Sequence, residues 1–247
     1  MGHSNTFPLP SAPTETADLY PESDGKPMAE TERHFRELLK TFNRIENHFA
    51  YLPDVYVLGD MMMYYEEGNP RKSISPDIFV AFGIGKKERR IYKIWEEGKP
   101  PDFVLEFSSK GTYRNDLTGK VQLYASIGIP EYFLYDVDRR YLPTPLMGFR
   151  LVGREYVEIP PLASGGIPAA TLGLEFHLLD DTFGIYDPEA QEWLKTAAED
   201  AEIRAEDAEI RAEDAEIRAN QEVNARHKAE AEVARLQEEL ERLKAGL

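Results

Sequence analysis

The sequence predicts an α/β protein: a mixed β-sheet flanked by helices, followed by a long C-terminal coiled-coil helix. Two apolar segments, Asp102–Ser108 and Glu131–Val137, enclose a segment of helical periodicity from about Tyr113 to Ile127. A strand, a helix and a strand joined by short connections are typical of a crossover unit in a mixed sheet. A repeated heptad in the last sixty residues predicts the coiled coil.

Before the crossover unit the sequence predicts one helix and three short strands. Apolar residues recur at helical spacing between Ala29 and Ala50, and Thr31 is a suitable N-cap. The predicted strands are 54–58, 61–65 and the segment SPDIFVAFGI at 75–84. Gly59 and Asp60, between the first two strands, predict a hairpin turn.

The strand 102–108 carries no alternation of apolar and polar residues, which indicates a strand covered on both faces and central in its sheet. Residues 147–159 and 172–186 predict peripheral hairpin strands. The elements from 28 to 187 therefore predict one globular domain. Residues 1–27 hold five prolines and no periodicity, which predicts a mobile arm that becomes ordered near Tyr20.

Composition excludes several classes of protein. The chain has no cysteine, so disulfides and thiolate metal sites are excluded. The N-terminus lacks the apolar segment of a signal peptide, and no stretch approaches the ~18 apolar residues that span a bilayer. The expected location is the cytoplasm, with no membrane partner.

The charge distribution restricts how the chain could contact nucleic acid. The formal net charge is -16, of which residues 1–187 (28 acidic, 20 basic) and residues 188–247 (17 acidic, 9 basic) each carry -8. Even the globular part is acidic, so tight non-specific binding of DNA by a basic surface is not expected.

Residues 188–247 predict a separate helix. Residues 198–218 are three copies of the heptad AEDAEIR, and the register that places Ala198 at position a and Ala201 at position d continues beyond them. The apolar seam positions of the later turns are Val233, Leu236, Leu240, Leu243 and Leu247. Acid–arginine pairs such as Asp207 with Arg211 and Asp214 with Arg218 are spaced i,i+4. Self-association is the favoured interpretation, and a solvated single helix is the alternative.

Two carboxylates occupy positions where strands normally carry apolar residues. Asp77 opens the third strand, and Glu106 lies within FVLEF. A buried carboxylate must be neutral, paired with a cation or bound to a metal. Lys120, on the following helix, could reach Glu106. Two acids and a lysine could support metal-assisted phosphodiester hydrolysis, whereas a structural ion pair between Glu106 and Lys120 is the alternative.

A resemblance favours the first interpretation. The segments SPDIFVAF and PPDFVLEFSSKGTYRNDLTGKVQLYASIGIPEYFLYD resemble the Uma-two (Uma2) family of restriction-endonuclease-like proteins, within the PD-(D/E)XK nuclease superfamily, and the match spans roughly Tyr20 to Pro188. The residues that match the family pattern are Glu106, Ser109, Asp116, Lys120, Tyr124, Gly128, Glu131, Tyr132 and Asp136.

The resemblance implies a restriction-endonuclease-like fold and a metal-dependent endonuclease that hydrolyses DNA. Asp77 and Glu106 would bind Mg²⁺ or Mn²⁺ together with the main-chain carbonyl of Phe107. The usual lysine two residues after the glutamate is replaced by Ser108, so the resemblance nominates Lys120 on the helix as the catalytic lysine. The alternative is a nuclease-fold scaffold that acts as an interaction protein through its coiled coil.

Other polar residues near these positions allow two interpretations. Asp102 could be a third ligand, or could merely start its strand. Glu30 and His34 could lean over the site, although a solvated helix face is the favoured interpretation. Asp116 is interpreted as a capping residue at a helix N-terminus.

The sequence also offers candidates for contacts with the nucleic acid. Tyr124 and Tyr132 are interpreted as core residues and not as platforms for base stacking. Arg71, Lys72 and the loop from Lys86 to Arg90 are the candidates for phosphate contacts, with ordinary exposed charge as the alternative.

Overall fold

The computed structural model describes residues 19–23, 25, 31–180 and 182–246. It divides into two compact units, Met1–Leu194 and Lys195–Leu247. The helices of the first unit are α1 (Glu32–His48), α2 (Ile94–Glu97), α3 (Tyr113–Asp116) and α4 (Gly119–Ile127), and the second unit contains α5 (Ala197–Ala245). The strands are β1 (Val55–Gly59), β2 (Met63–Tyr64), β3 (Ser73–Ile74), β4 (Ile78–Phe82), β5 (Tyr92–Lys93), β6 (Phe103–Ser108), β7 (Glu131–Asp136), β8 (Leu146–Val152), β9 (Glu155–Glu158), β10 (Ile167–Ala169), β11 (Leu174–Leu178), β12 (Phe183–Asp187) and β13 (Glu192–Trp193).

The main sheet is mixed, with the strand order β1-β4-β6-β7-β8-β9. Strands β6 and β7 are parallel, and α3 and α4 connect them as the predicted crossover unit. The other pairings in this sheet are antiparallel. All six residues of β6 are buried, which confirms the prediction of a central strand covered on both faces.

Alternation along β6 divides the core between the two faces of the sheet. Phe103 and Leu105 pack in one apolar cluster with Leu38 of α1, whereas Val104 packs in a second cluster with Tyr124 of α4. Burial of each large side chain contributes about 1.5–3 kcal/mol relative to exposure, so both helices are held firmly on the sheet. The central strand consequently carries its polar residue, Glu106, between two packed layers.

Two smaller sheets complete the first unit. One has the order β10-β11-β12-β13 and is antiparallel throughout, and the other has the order β3-β2-β5. The predicted peripheral hairpins at 147–159 and 172–186 are confirmed as β8–β9 and β11–β12. Tyr20, near which the arm was predicted to become ordered, packs against Tyr64 with ring centroids 4.9 Å apart. Most of the arm itself lies outside the described residues.

The predicted hairpin at Gly59 and Asp60 is wrong. Strand β1 pairs with β4, whereas β2 pairs with β3 and β5 in a different sheet. The backbone N–H of Asp60 donates to the carbonyls of Pro76 and Asp77, and the φ of Asp60 is 47°. These bonds turn the chain away from β1 at the point where the hairpin would have closed.

The helix predicted at 113–127 is divided into α3 and α4. Thr118 has φ -131° and ψ -75°, outside the helical region, and its hydroxyl donates to the carbonyl of Arg114. Thr31 is confirmed as the N-cap of α1, since its Oγ1 accepts the N–H of His34 at 3.2 Å. The helix therefore begins at Glu32.

Helix α5 begins with a capping box, in which Thr196 and Glu199 each accept the other's backbone N–H. Ion pairs form in its later turns, for example between Arg226 and Glu230, whereas none is seen between Asp207 and Arg211 or between Asp214 and Arg218. Leu247 of the predicted seam lies outside the described residues. Across the described ranges, no helix combines the length and the apolar character that a membrane crossing requires.

Candidate active site

Two acids meet where β4 begins and β6 approaches its end. The antiparallel register pairs Ile78 with Leu105, so the residues just beyond this pair, Asp77 and Glu106, become neighbours. The N–H of Asp77 lies 3.3 Å from Oε2 of Glu106, and the N–H of Phe107 donates to Oδ2 of Asp77 at 2.7 Å. Sheet register therefore brings together two residues that are far apart in the chain.

Glu106 is completely buried and has a defined set of partners. The hydroxyl of Tyr124 donates to Oε1 at 2.5 Å, and Nζ of Lys120 lies 2.9 Å from Oε2. Both partners come from α4, which covers this face of the sheet. One glutamate thus joins the helix to the sheet through both of its oxygens.

A third acid, Asp116, completes the cluster. It is completely buried; its Oδ1 lies 2.9 Å from Nζ of Lys120, and its Oδ2 accepts the hydroxyl of Ser108 at 2.9 Å. Lys120 therefore bridges Asp116 and Glu106. The predicted capping role of Asp116 is wrong, because its side chain turns inward to the lysine and the serine and not toward the helix N-terminus.

The charges in the cluster do not balance. Three carboxylates, Asp77, Glu106 and Asp116, surround the single ammonium of Lys120. Burial raises the pKa of Asp77 well above its ordinary value, and the neighbouring charge of Glu106 raises it further. Burial alone would lower the pKa of Lys120, but the charges of Glu106, Asp116 and Asp77 outweigh burial and raise that pKa. With all four groups ionised the cluster has two uncompensated negative charges.

The donor set fits a hard divalent cation. Asp77 and Glu106 offer carboxylate oxygens, and Asp77 as a whole residue is less completely buried than Glu106. The N–H and C=O of a residue in an extended strand point to the same edge. The carbonyl of Phe107 therefore faces the Asp77 side, where its N–H already bonds. Mg²⁺ typically takes one or two carboxylates and keeps several waters, and a divalent ion would cancel the excess charge.

The structure thus brings Asp77, Glu106 and Lys120 together, as the sequence predicted. Within the described ranges no group of three or more His, Asp or Glu side chains is arranged as a metal site, so a metal would rely on the two acids, the Phe107 carbonyl and water. Tyr124 and Tyr132 are confirmed as buried. Tyr124 is also a partner of Glu106, and the spacing of four residues from Asp116 to Lys120 to Tyr124 carried that signal.

Asp102 does not join the site. Its Oδ2 accepts the N–H of Phe82 at 2.8 Å and lies 2.6 Å from Nζ of Lys99. These partners lie at the beginning of β6, whereas Glu106 lies near its end. Asp102 therefore starts its strand, as the alternative interpretation held.

The candidates for phosphate contacts also lie elsewhere. The loop from Lys86 to Arg90 follows the end of β4, about 20 Å from the Asp77 end of the strand at 3.3 Å per residue. Lys86 donates to the carbonyls of Phe49 and Ala50, and Arg89 pairs with Glu97. This loop is structural. Arg71 and Lys72 are exposed, and no observation assigns them a contact with phosphate.

The interpretation of His34 as part of a solvated helix face is wrong, because only 7% of this side chain is exposed. Its ring centroid lies 5.8 Å from that of Phe107, on the α1 side of the sheet. Glu30, its proposed companion, lies outside the described residues.

Comparison with known proteins places the chain in a family. The sequence model of Uma2, described as "Putative restriction endonuclease", matches residues 15–180, more than half of the chain. The chain belongs to the Uma2 family. The family match supports a nuclease-like protein.

Among solved structures, one similar to this Uma2 chain is the crystal structure of a "putative nuclease belonging to DUF820" from Anabaena variabilis ATCC 29413, at 1.96 Å resolution. The two share 16% sequence identity with a TM-score of 0.44, and the alignment covers 60% of this chain and 76% of the other. No curated protein matches the chain.

Proposed function

We propose that this Uma2 protein is a metal-dependent endonuclease that hydrolyses phosphodiester bonds in DNA. The observation that carries the proposal is the meeting of Asp77, Glu106 and Lys120 at one end of the central strands, with more negative charge than the lysine can compensate. Such an excess is costly for folding unless a proton or a cation relieves it. An excess of buried carboxylates is expected where the acids bind a ligand.

Asp77, Glu106 and the carbonyl of Phe107 would hold Mg²⁺ or Mn²⁺. A bound ion of this type supplies Lewis-acid polarisation of the phosphate and acidifies a water molecule. Tyr124 fixes the rotamer of Glu106 through its hydroxyl, so the acid is already oriented toward Asp77. Preorganisation of this kind avoids a cost of ordering when substrate binds.

Lys120 would stabilise the negative charge that develops on the phosphate oxygens. Asp116 also holds the ammonium at 2.9 Å, so Lys120 keeps one partner if Glu106 turns its oxygens to a cation. The hydroxyl of Ser108 in turn fixes Asp116. Glu106 and Asp116, together with Ser108, therefore hold the ammonium of Lys120 in place.

The proposal is tested by incubating the full chain with supercoiled plasmid DNA. Nicked and linear products are expected with Mg²⁺ or Mn²⁺, and none with excess EDTA. The same assay with Ca²⁺ or Zn²⁺ compares the nicking that different divalent metals support. Equal nicking with and without EDTA would contradict the proposal.

We also propose that α5 joins copies of the chain through its later heptads. Val233, Leu236, Leu240 and Leu243 lie at seam positions, and each is at least 51% exposed in the single chain. Substitution of both Leu236 and Leu240 by Asp should shift the protein to the monomer in sedimentation velocity. Ile210→Asp, outside the seam, should leave the distribution unchanged. A parent protein that is monomeric at micromolar concentration would contradict the proposed self-association through α5. It would also leave the scaffold alternative without a surface for a partner.

A further inference from the structure

Two loops at the end of the parallel strands form a basic rim beside the candidate active site. The first follows β6 and contains Lys110, with Arg114 just after it in α3; the second follows β7 and contains Arg140. These three side chains are exposed, and neither Lys110 nor Arg140 forms an ion pair with another described residue. Asp138 is the acid of the rim, so the rim is net positive on a protein whose net charge is -16.

A pair of aromatic rings joins the two loops. Tyr113 and Tyr141 are stacked, with centroids 5.6 Å apart and an interplanar angle of 28°, and both are partly exposed. Nε of Arg114 donates to the hydroxyl of Tyr113, and the guanidinium lies 5.5 Å from that ring centroid. Aromatic rings interleaved with cations are the features with which proteins bind unpaired nucleic acid.

The second loop is held in a fixed conformation. The buried carboxylate of Asp136 accepts the backbone N–H groups of the loop, at 3.1 Å from Asp138, 2.7 Å from Arg140, 2.5 Å from Tyr141 and 3.0 Å from Leu142. Four bonds to one carboxylate make Tyr141 and Arg140 a preorganised pair. Binding of a ligand would therefore cost little conformational entropy in this loop.

A cavity lies between the rim, the end of β6 and the start of α1, where Thr31 and His34 line it. It has a volume of about 200 Å³ and is lined by residues that include Ser108, Ser109, Lys110, Asp138 and Tyr141. Pockets for drug-sized ligands measure about 300–1,000 Å³, so this cavity suits part of a nucleotide and not a base pair. Lys110 lies two residues beyond the end of β6, in the turn that Ser109 and Thr112 close.

From these observations we propose that the rim binds one unpaired DNA strand, with Lys110, Arg114 and Arg140 on its phosphates and the tyrosine pair against a base. This inference deepens the endonuclease proposal and rests on it. A duplex presents only base edges in its grooves, whereas a stacking platform needs the face of a base. Proteins that bind duplexes through 6–10 phosphate contacts need more cations than this rim offers. The preferred substrate is therefore single-stranded DNA or an unpaired region of a duplex.

The test measures binding separately from cleavage. The full chain is titrated, in EDTA and at several salt concentrations, into a fluorescein-labelled 12-nucleotide oligodeoxythymidylate, and fluorescence anisotropy is recorded. Lys110→Ala with Arg140→Ala should weaken binding about tenfold or more at low salt. The slope of log K against log salt should also fall by about 1.4, since each phosphate contact on a single strand contributes about 0.7. Arg154→Ala with Lys228→Ala, which removes two exposed cations elsewhere, should change neither quantity.

The stacking contact has its own pair of variants. Tyr141→Ala should weaken binding of the oligonucleotide about tenfold or more, whereas Tyr141→Phe, which keeps the ring, should stay within twofold. A duplex of equal length should bind more weakly and should not respond to Tyr141→Ala. Unchanged binding in the Lys110/Arg140 variant, or preference for the duplex, would overturn the inference. Binding that follows these expectations in a protein that never nicks DNA would overturn only the endonuclease proposal.

Discussion

Replacing Lys120 with methionine is expected to destabilise the first unit by about 3–5 kcal/mol, because Glu106 and Asp116 would lose the cation that both contact. Both acids are completely buried and cannot recruit bulk water in its place. Urea unfolding followed by tryptophan fluorescence measures the effect, since Trp95 and Trp193 both lie in the first unit. A lower midpoint with an unchanged slope is the expected result.

Matched variants distinguish the loss of the buried contacts of Lys120 from the loss of one positive charge. Lys110→Met removes an exposed lysine and should change stability by no more than about 0.5 kcal/mol. Asp116→Asn added to Lys120→Met should recover part of the loss, since it removes one of the unpaired acids. A Lys120→Met protein with the parent midpoint would show that the cluster is not an ion-pair network.

The ionisation of Lys120 itself should add no pH dependence to this effect across neutral pH. Its neighbours raise the pKa of Lys120 in the folded protein. A raised folded pKa means that the stabilising contribution is fully present below the ordinary lysine value, and is lost only as pH rises through the folded value. Neutral pH lies below both values.

The second large effect is expected from Glu106→Gln, which should lower the rate of metal-dependent plasmid nicking about 10³-fold. Gln keeps the size of the side chain and can still accept the hydroxyl of Tyr124, but it lacks the charge that would hold the ion. The expected loss corresponds to about 4 kcal/mol in the activation free energy. Products resolved on an agarose gel over time measure the rate.

Asp102→Asn is the matched control for Glu106→Gln. It removes an acid adjacent to the same strand, but at the far end, where it contacts Phe82 and Lys99. Its nicking rate should remain within about twofold of the parent. A Glu106→Gln protein that nicks at the parent rate would remove this glutamate from the mechanism.

The arrangement of the central strands could be predicted because an uninterrupted run of apolar residues in the sequence indicates a buried strand. The segment 103–108 is apolar with one acid, so it had to be central, and Glu106 had to find a partner. The convergence of Asp77 with Glu106 depended on the register of β4 against β6, which sequence alone does not give. The family resemblance supplied that pairing.

Other features could not be predicted because they depend on contacts between distant segments. Gly59 and Asp60 have the local chemistry of a hairpin, but pairing of β1 with β4 overrides it. Asp116 looked like a residue at a helix start, and only the packing of α3 on β6 directs it to Ser108. The basic rim was missed because its two segments are distant in the chain and the parallel pairing of Ser108 with Asp136 brings them together.

The position of a bound Mn²⁺ ion tests the central claim most directly. Crystals of the parent protein grown with Mn²⁺ would be measured for anomalous scattering near the manganese absorption edge. An anomalous peak in contact with carboxylate oxygens of both Asp77 and Glu106, with the Phe107 carbonyl beside it, is the predicted result. A peak at other residues, with Glu106 still paired to Lys120 and no ion at Asp77, would contradict the account.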